Sequence, residues 1–498
     1  MSDLVIEEVN SVYIRINCER SIAKELNQYF TFAVPNYQFT PAYKNKVWDG
    51  QIRLFNLFTH TIYAGLLDYV VKFANDRNYT VEVPNQKDNK FTEEQIGKFV
   101  EEFIRPTASK KRITAHDYQI KAITHAINKE RTLLLCPTGS GKSLIIYCLI
   151  RFFLDRIKTD KKILVVVPTI GLVSQMFSDF EDYSTENKWS VNRYCHTISS
   201  GKEKHTHKKV VISTWQSIYK MPKEFFDDFD MVIGDECHLF KAKSLSSLMS
   251  KLTECPIRIG TTGTLDGTHT HKLVIEGLFG RVLHVTSTST LIQKNLLSDL
   301  TINCILLNYG NKDIEETKRM LYKEEIKWLI TCKRRNLFIK DLAKQLKGNT
   351  LVLFNFVELH GKPLFEMFKQ SITEKEIYFI HGGTDVEQRE EIRKVVDKGS
   401  NAILLASYGT CSTGINIKNI HNIIFASPSK SVVRVLQSIG RGLRKSESKT
   451  AVDVYDIGDD LRYKKYRNHS LNHMDERIKL YNKEKFKNKL VSLRIKEN

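Results

Sequence analysis

Two series of short, uninterrupted apolar runs, separated by segments with helical periodicity, extend from Thr132 onward. The first series is TLLLC at 132–136, ILVVV at 163–167, VVIS at 210–213, MVIG at 231–234 and IRIG at 257–260. The second is TLVLF at 350–354, IYFI at 377–380, AILLA at 402–406, NIIFA at 422–426 and VDVYDI at 452–457. Such runs are typical of strands buried on both faces in parallel sheets covered by helices. The chain is therefore predicted to be an α/β protein with two tandem parallel-sheet domains.

The first 105 residues have a different pattern, with aromatic and β-branched segments instead of long apolar runs. A polar stretch at 85–94 leads to a linker near Pro106. Because 498 residues are about three times a usual domain, several cores are expected. The predicted organisation is a small α+β domain at 1–105, parallel-sheet domains at 106–285 and 286–460, and a basic helical segment at 461–498.

Charge and cysteine content limit the class of protein. A formal charge of +19 predicts a polyanionic partner. The nine cysteines are an odd number without a C-x-x-C pair, which favours reduced, mostly buried thiols over disulfides or a zinc site. The N-terminus lacks the pattern of a signal peptide, and no long apolar stretch of about 18 residues occurs. A soluble, cytoplasmic protein is expected.

The most specific motif is CPTGSGKS at 136–143, which follows the first strand directly and precedes an apolar helix. A strand, a glycine loop and a helix in this order form a phosphate cradle. Lys142 is expected to contact the β- and γ-phosphates, and Ser143 to ligate magnesium. The residues expected to surround the phosphates are Pro137, Thr138, Gly139, Ser140 and Gly141. Cys136 stands where the strict motif has glycine, so the loop alone does not establish a nucleotide site.

A pair of carboxylates supplies the second half of this site. MVIGDECH at 231–238 is a strand that ends in Asp235 and Glu236. Asp235 is expected to hold magnesium, and Glu236 to accept a proton from the attacking water. An acidic turn without function is the alternative for this segment alone. The phosphate loop upstream in the same domain favours the catalytic interpretation.

Four motifs in the expected order resemble those of superfamily 2 helicases: PTGSGKS, DECH, TTGT at 261–264 and QSIGRGLR at 437–444. The resemblance covers residues 112 to 457. It implies two RecA-like P-loop domains, ATP and Mg²⁺ as cofactors, and nucleic-acid-stimulated ATP hydrolysis. It also implies that His238, Gly414 and Asn416 lie at the nucleotide, although related motors often have Asp where this chain has Asn416.

Two further segments complete the predicted nucleotide site. Gln437, Arg441 and Arg444 are spaced i, i+4 and i+7 and so share one helix face, from which the arginines would stabilise charge on the transferring phosphoryl group. A helix with solvated or DNA-facing arginines is the alternative. Gln119, in a segment that resembles the family's adenine-binding motif, is predicted to pair with the adenine edge.

Hydroxyl, amide and guanidinium groups suited to phosphate oxygens occur in the segments that resemble the family's nucleic-acid motifs. For each of them, a cap or a satisfied polar group is the alternative. The predicted contacts are Thr169, Gln175, Ser213, Thr214, Gln216, Thr384, Arg389 and Ser407.

The segment AYKNKVWDGQIRLFN at 42–56 has an Asp-Gly pair between two strand-like runs, which predicts a β-hairpin. Lys44, Lys46 and Arg53 would let this hairpin engage DNA. The alternative is a purely architectural role, with Trp48 anchoring a small core. Since both halves of the nucleotide site lie downstream, residues 1–105 are expected to be separable from the motor.

The WDG-bearing N-terminal region, the two nucleotide motifs and the short basic C-terminus together resemble the UvsW family of recombination helicases from T-even-type bacteriophages. That resemblance implies an ATP-dependent DNA helicase that remodels forks, Holliday junctions and R-loops in recombination-linked repair. RNA–DNA hybrids as further partners, a monomeric state and action in the host cell cytoplasm are separate expectations. The motifs alone also allow an RNA helicase or a duplex translocase that does not separate strands. A non-enzymatic scaffold is disfavoured because every catalytic residue type is present.

Overall fold

The chain folds into two compact units, Met1–Cys136 with Gly141–Val285 and Pro137–Ser140 with Thr286–Asn498. Within the first unit, an N-terminal region precedes a parallel sheet. The computed structural model describes all residues except Met1, Asn36, 85–90, 158–159, Lys188, 200–202, 241–242, 266–268, 415–416, Lys418, 429–430, 432–434, 436–438, Arg441, 444–448 and 496–498.

The N-terminal region is a small α+β fold. Its strands are β1 Leu4–Glu8, β2 Tyr13–Cys18, β3 Thr31–Ala33, β4 Gln51–Arg53, β5 Thr61–Tyr63, β6 Val81–Glu82, β7 Thr107–Ala108 and β8 Lys111–Arg112. Its helices are α1 Arg20–Tyr29, α2 Pro41–Lys44, α3 Leu67–Asp76 and α4 Glu93–Lys98, with shorter turns at Tyr37–Phe39, Ala64–Leu66 and Phe99–Ile104. A four-stranded sheet has the order β5-β2-β1-β6, and β3–β4 and β7–β8 form separate pairs.

The predicted β-hairpin over 42–56 is wrong. Thr40 caps α2 by accepting a hydrogen bond from the Tyr43 N–H, and Pro41 occupies the first turn, where proline is favoured. These local start signals make the first half of the segment helical. The Asp49-Gly50 turn leads instead into β4, which pairs antiparallel with β3.

The N-terminal region shares a hydrophobic core with the parallel sheet that follows. Leu273 and Val274, from a helix at His269–Phe279, belong to the cluster formed by its strands and helices. The Ser11 N–H donates to the Thr253 carbonyl at 2.9 Å, and the Tyr69 hydroxyl donates to the buried Glu276 carboxylate at 2.7 Å. The expectation that residues 1–105 are separable from the motor is therefore not supported by the packing.

The first parallel sheet has seven strands in the order β11-β12-β10-β13-β14-β9-β15. The strands are β9 Arg131–Leu135, β10 Lys162–Val167, β11 Cys195–Ile198, β12 Val210–Thr214, β13 Phe229–Asp235, β14 Ile257–Thr262 and β15 Val282–His284. The helices are α5 Asp117–Lys129, α6 Lys142–Phe152, α7 Ile170–Tyr183, α8 Val191–Tyr194, α9 Trp215–Ile218, α10 Lys223–Phe226, α11 Lys243–Lys251 and α12 His269–Phe279, with short turns at Phe153–Ile157 and Cys237–Leu239.

The strands of this sheet are buried on both faces. Along β10, Ile163 and Val165 pack in one hydrophobic cluster, whereas Leu164 and Val166 pack in another. Successive side chains point to opposite faces of a strand, so the two clusters lie on the two sides of the sheet. The apolar runs of the sequence thus arise for the reason expected.

The second parallel sheet has the order β18-β19-β17-β20-β21-β16-β22. Its strands are β16 Asp299–Asn308, β17 Thr350–Phe354, β18 Glu376–Ile380, β19 Ala402–Ser407, β20 Asn422–Phe425, β21 Ala451–Asp460 and β22 Lys487–Arg494. Its helices are α13 Thr288–Gln293, α14 Asn311–Thr317, α15 Tyr322–Thr331, α16 Lys333–Gln345, α17 Lys362–Ser371, α18 Val386–Lys398, α19 Tyr408–Gly414 and α20 His469–Lys483, with a turn at Val357–Gly361. The predicted fold class, two parallel-sheet domains after a small α+β region, is confirmed.

The C-terminal segment is helical only in part. Helix α20 is fixed to the sheet by the buried Arg477, which pairs with Asp456 at 2.7 Å, and by the Tyr481 hydroxyl, which donates to the same carboxylate at 2.8 Å. Residues 487–494 then form β22, which pairs with β16 over its last eight residues. Pairing with an open sheet edge satisfies backbone groups that an isolated helix end leaves free, which explains the strand.

Among the described residues, none of the helices has the length and apolar character needed to cross a membrane.

Candidate active site

The phosphate loop joins β9 to α6 and has the backbone geometry that its glycines permit. Gly139 and Gly141 have φ angles of 85° and 76°, in the left-handed region where glycine is favoured. Gly141 is the N-cap of α6, so the first N–H groups of that helix face the loop. Cys136, which stands where the strict motif has glycine, is buried in the hydrophobic core of the first sheet.

Lys142 links the phosphate loop to the two carboxylates. Its ammonium lies 2.8 Å from Asp235 Oδ1 and 2.6 Å from Glu236 Oε1. Burial alone lowers the pKa of Lys142, but attraction to Asp235 and Glu236 outweighs burial and raises it. For Glu236, burial raises the pKa of the carboxyl group. The positive charge of Lys142 and the hydrogen bond from His238 lower it by more than burial raises it, so the net shift is downward. Lys142 and Glu236 are therefore both charged in this arrangement.

The TTGT segment orients the carboxylates. Thr261 and Thr262 end β14, which pairs with β13 so that Asp235 lies opposite Thr261. The Thr261 hydroxyl donates to Asp235 Oδ1 at 2.9 Å, and Thr262 Oγ1 donates to Glu236 Oε2 at 3.4 Å. His238 Nδ1 lies 2.9 Å from Thr262 Oγ1 and 3.3 Å from Glu236 Oε2. The sequence identified the TTGT motif but not the contacts of Thr261 and Thr262 with the carboxylates. The signal for these contacts is the pairing of β14 with β13, which the structure supplies.

Glu236 has an unusual backbone conformation. Its φ angle of 51° is left-handed, which is uncommon for a residue with a side chain and is concentrated at functional sites. The strand ends at Asp235 with this reversal, and a short turn at Cys237–Leu239 follows. The reversal brings Glu236 and His238 to the same edge of the sheet.

Tyr183 is a further residue near the nucleotide site that the sequence did not reveal. Its hydroxyl lies 3.2 Å from the Ser143 hydroxyl, and its ring packs 5.5 Å from that of Tyr147. Burial raises the pKa of Tyr183, so the phenol stays protonated and retains its hydrogen for bonding. Tyr183 ends α7, whose N-terminus carries Thr169, so its position depends on tertiary packing rather than on a motif.

The residues present fit a magnesium ion. Asp235 and Ser143 offer oxygen ligands of the kind that Mg²⁺ prefers, and the Lys142 ammonium now lies within contact distance of both carboxylates. We propose that Ser143 and Asp235 hold Mg²⁺ when ATP is bound.

Replacing Tyr183 with phenylalanine is expected to raise the Mg²⁺ concentration for half-maximal ATPase by about two- to tenfold, the effect of one lost hydrogen bond. The ring contact with Tyr147 is kept, so the melting temperature should not change. Binding of a fluorescent ATP analogue, measured with Mg²⁺ and with EDTA, should weaken only when Mg²⁺ is present. An unchanged Mg²⁺ requirement would show that Tyr183 does not position Ser143.

Gln119 lies directly against the phosphate loop. Its side chain is buried and its Oε1 accepts a hydrogen bond from the His116 N–H at 2.8 Å. A Cβ atom added to Gly141 would lie 2.2 Å from Gln119 Nε2, so a larger residue at this position would displace the amide. Gln119, the residue predicted to contact the adenine, therefore lies beside Gly141 of the phosphate loop.

Three of the predicted nucleic-acid contacts, Thr169, Gln175 and Gln216, follow the carboxyl ends of the neighbouring strands β10 and β12. Gln175 and Gln216 are exposed, and the Gln216 amide donates to the Pro168 carbonyl at 3.4 Å. Thr169 caps α7 by accepting a hydrogen bond from the Leu172 N–H. Carboxyl ends of parallel strands are the usual edge for ligand binding.

Two other predicted contacts on this sheet are engaged inside the protein. Ser213 and Thr214 are buried. The Ser213 hydroxyl donates to the Thr214 carbonyl at 3.0 Å, and the Thr214 hydroxyl lies 2.8 Å from that of Ser217. These two hydroxyls therefore bond within the protein, whereas the side chains of Gln175 and Gln216 are exposed.

In the second unit, Thr384 and Arg389 follow β18, and Ser407 is the last residue of the adjacent strand β19. Thr384 and Ser407 are buried: Thr384 accepts a backbone N–H at 3.0 Å, and Ser407 lies 2.7 Å from the Thr410 hydroxyl. Arg389 donates to the Gly382 carbonyl at 2.8 Å. The three predicted DNA contacts of the N-terminal region, Lys44, Lys46 and Arg53, are exposed. The Arg53 guanidinium forms a salt bridge with Asp49 at 2.5 Å.

Several predicted nucleotide contacts are not tested by this geometry. Gly414 ends α19. Asn416, Gln437, Arg441 and Arg444 lie outside the described residues and stay predictions from the sequence.

Three family models match the chain. They are "DNA helicase UvsW, N-terminal" over residues 3–84, "Type III restriction enzyme, res subunit" over 112–267 and "Helicase conserved C-terminal domain" over 333–446. The ATP-dependent DNA helicase uvsW of Enterobacteria phage T4 is 35% identical over 490 residues, which are 95% of this chain and 96% of that protein. The DNA 3'-5' translocase XPB2 of Sulfurisphaera tokodaii is 22% identical over 380 residues, 68% of this chain and 80% of that protein.

A solved structure agrees with the sequence relationship. The crystal structure of T4 UvsW matches with a TM-score of 0.52 and 32% identity, over 99% of this chain and 100% of that chain. The nucleotide-site geometry, the order of the family models and the near full-length identity agree with the resemblance found in the sequence. The chain belongs to the UvsW family of ATP-dependent DNA helicases.

Proposed function

We propose that this protein is an ATP-dependent DNA helicase that unwinds and remodels branched DNA, including forks, Holliday junctions and R-loops, in recombination and repair. The observation that carries the catalytic part is the Lys142 ammonium held between Asp235 and Glu236 at the carboxyl edge of a parallel sheet. The full-length relationship to the T4 helicase supports the DNA substrate. One chain supplies all the predicted catalytic residues, so a monomer suffices, and action in the host cell cytoplasm follows if the chain is of phage origin.

The charge arrangement gives ATP binding a chemical consequence. The phosphates compete with the carboxylates for Lys142, and when its ammonium moves to the β- and γ-phosphates, Glu236 loses the cation that lowers its pKa. Glu236 then becomes a better proton acceptor. Water forms the new bond to the γ-phosphorus as the bond to the β–γ bridging oxygen breaks, and its proton passes to Glu236. Bound Mg²⁺ would neutralise phosphate charge.

The DNA track is proposed to use the exposed amides at the ends of β10 and β12. Gln175 and Gln216 are accessible to a phosphate backbone, whereas Ser213 and Thr214 shape the strand end that presents them. Contacts of this kind carry no base information, so binding is independent of sequence.

The test is an unwinding assay on a panel of flap, fork, Holliday-junction and R-loop substrates beside simple DNA and RNA duplexes. We expect ATP-dependent strand separation on the branched DNA and the R-loop, with little on the RNA duplex. The Glu236→Gln variant is the matched control, because it retains the fold and nucleotide contacts but lacks the proton acceptor. Displacement of a triplex strand without unwinding of any branched substrate would identify a duplex translocase instead.

A further inference from the structure

The segment around α2 forms an aromatic and basic surface that the ATP site does not use. A concavity of about 500 Å³ there is lined by Gln38, Tyr43, Lys44, Lys46, Val47, Trp48 and Asp49. Val47 is 81% exposed, and Tyr43 38%. Large apolar side chains left exposed together mark binding surfaces more often than chance.

The rings of this concavity are held in place rather than free. The Trp48 indole N–H donates to the Gln51 carbonyl at 2.9 Å. The Tyr43 ring packs edge-on against Tyr37 at 4.7 Å, and Tyr37 in turn covers Gly50, where an added Cβ would lie 2.1 Å from its ring. Positions fixed before binding lower the entropic cost of binding.

The charges complement a phosphate. Lys44 and Lys46 are exposed on the rim of the concavity. The carboxylate on this surface, Asp49, is neutralised by its salt bridge to Arg53 at 2.5 Å. Aromatic faces beside ammonium groups form the combination that binds single-stranded nucleic acid, where the rings stack on bases and the cations contact the backbone.

We propose that this concavity binds one unpaired nucleotide at a DNA branch point, with its base against Tyr43 and Trp48 and its phosphates beside Lys44 and Lys46. In duplex DNA the base faces are covered by stacked neighbours, so a branch point is where a free face becomes available. The inference rests on the proposed function and extends it by assigning the branch-recognition element. Stacking on an aromatic face does not depend on base identity, which suits junctions of any sequence.

The experiment measures the fluorescence of a fork carrying 2-aminopurine at its first unpaired position, with the full chain and without ATP. Stacking should quench the emission with wild type. Tyr43→Leu, which removes the aromatic face but keeps an apolar side chain, should abolish the quenching and weaken fork binding about tenfold, whereas Tyr43→Phe should behave as wild type. The Lys44→Ala, Lys46→Ala double variant should weaken binding and flatten its salt dependence. Lys24→Ala with Lys72→Ala, at two exposed positions outside the concavity, is the matched charge control. It should change neither the affinity for the fork nor the salt dependence of binding.

Val47→Asp is a second variant of the same surface, used in case Tyr43→Leu fails to fold. Because the Val47 side chain is exposed, its replacement should not disturb the fold, and this variant should also lose the quenching. The melting temperature should be unchanged in every variant, which would show that each of them is folded. The proposal is overturned if Tyr43→Leu and Val47→Asp quench like wild type, or if they lose affinity equally for a blunt duplex. Equal losses on the blunt duplex would assign the surface to duplex DNA, whereas normal fork binding by every variant would assign it to a protein partner. Quenching without fork unwinding by wild type would instead contradict the proposed function and leave this site standing.

Discussion

Replacing Lys142 with alanine is expected to slow ATP hydrolysis by a factor on the order of 10² to 10³, the usual effect of removing one preorganised charge from the transition state. DNA binding should change by less than about threefold, since phosphate-backbone contacts are proposed to lie at other strand ends. DNA-stimulated ATPase and fluorescence anisotropy with a single-stranded oligonucleotide measure the two effects. Lys129→Ala, at an exposed position in the same domain, is the control.

The same variant should have a pH-dependent stability defect. Without the ammonium, Asp235 and Glu236 repel each other in a largely buried site. The pKa of Glu236 is lowered in the folded protein, so its pairing stabilises the fold above the ordinary value of 4.5 and is lost as the pH falls below it. The melting temperature of Lys142→Ala should therefore lie below that of wild type at neutral pH, with the difference shrinking on acidification.

Two outcomes would contradict this account of Lys142. Turnover within about threefold of wild type would remove it from the phosphate site, because a lost transition-state charge cannot be so small in effect. A melting-temperature difference that stays constant from neutral pH to pH 4 would show that the defect does not come from the carboxylates.

The strands and the catalytic carboxylates were predictable because their signals are local. A run such as ILVVV is apolar at every position only when both faces of its strand are covered. Asp235 and Glu236 end such a run, and the carboxyl ends of parallel strands meet at one edge. These parts of the fold and the site follow from residues that are close together in the sequence.

The roles of Thr261 and Tyr183 were not predictable in the same way. Thr261 reaches Asp235 because β14 pairs with β13, and Tyr183 reaches Ser143 because α7 packs beside α6. Both contacts depend on tertiary neighbours. The hairpin prediction failed for a related reason: the Thr40-Pro41 helix start competed with the Asp-Gly signal, and β4 found its partner in β3. A local turn signal does not specify which strand is paired.

Deletion of residues 1–105 is expected to make the remaining chain aggregate or unfold, rather than leave an active motor. The deletion uncovers Leu273 and Val274, now 2% and 8% exposed. Burial of such side chains contributes about 1.5–3 kcal/mol each, a large share of a typical total stability of about 5–15 kcal/mol. It also removes the Tyr69 hydroxyl from the buried Glu276 carboxylate. Circular dichroism, light scattering and ATPase on single strands measure the outcome.

A rescue variant separates exposed apolar surface from loss of function. If exposure of α12 causes the aggregation, Leu273→Ser with Val274→Ser in the shortened chain should restore part of its solubility, because the newly exposed face becomes polar. The same two substitutions in the full chain should lower its melting temperature, since they place hydroxyls in the shared core. A shortened chain that stays monomeric and hydrolyses ATP like wild type would show that the N-terminal region is an appendage, and that the shared cluster contributes little to the stability of the motor.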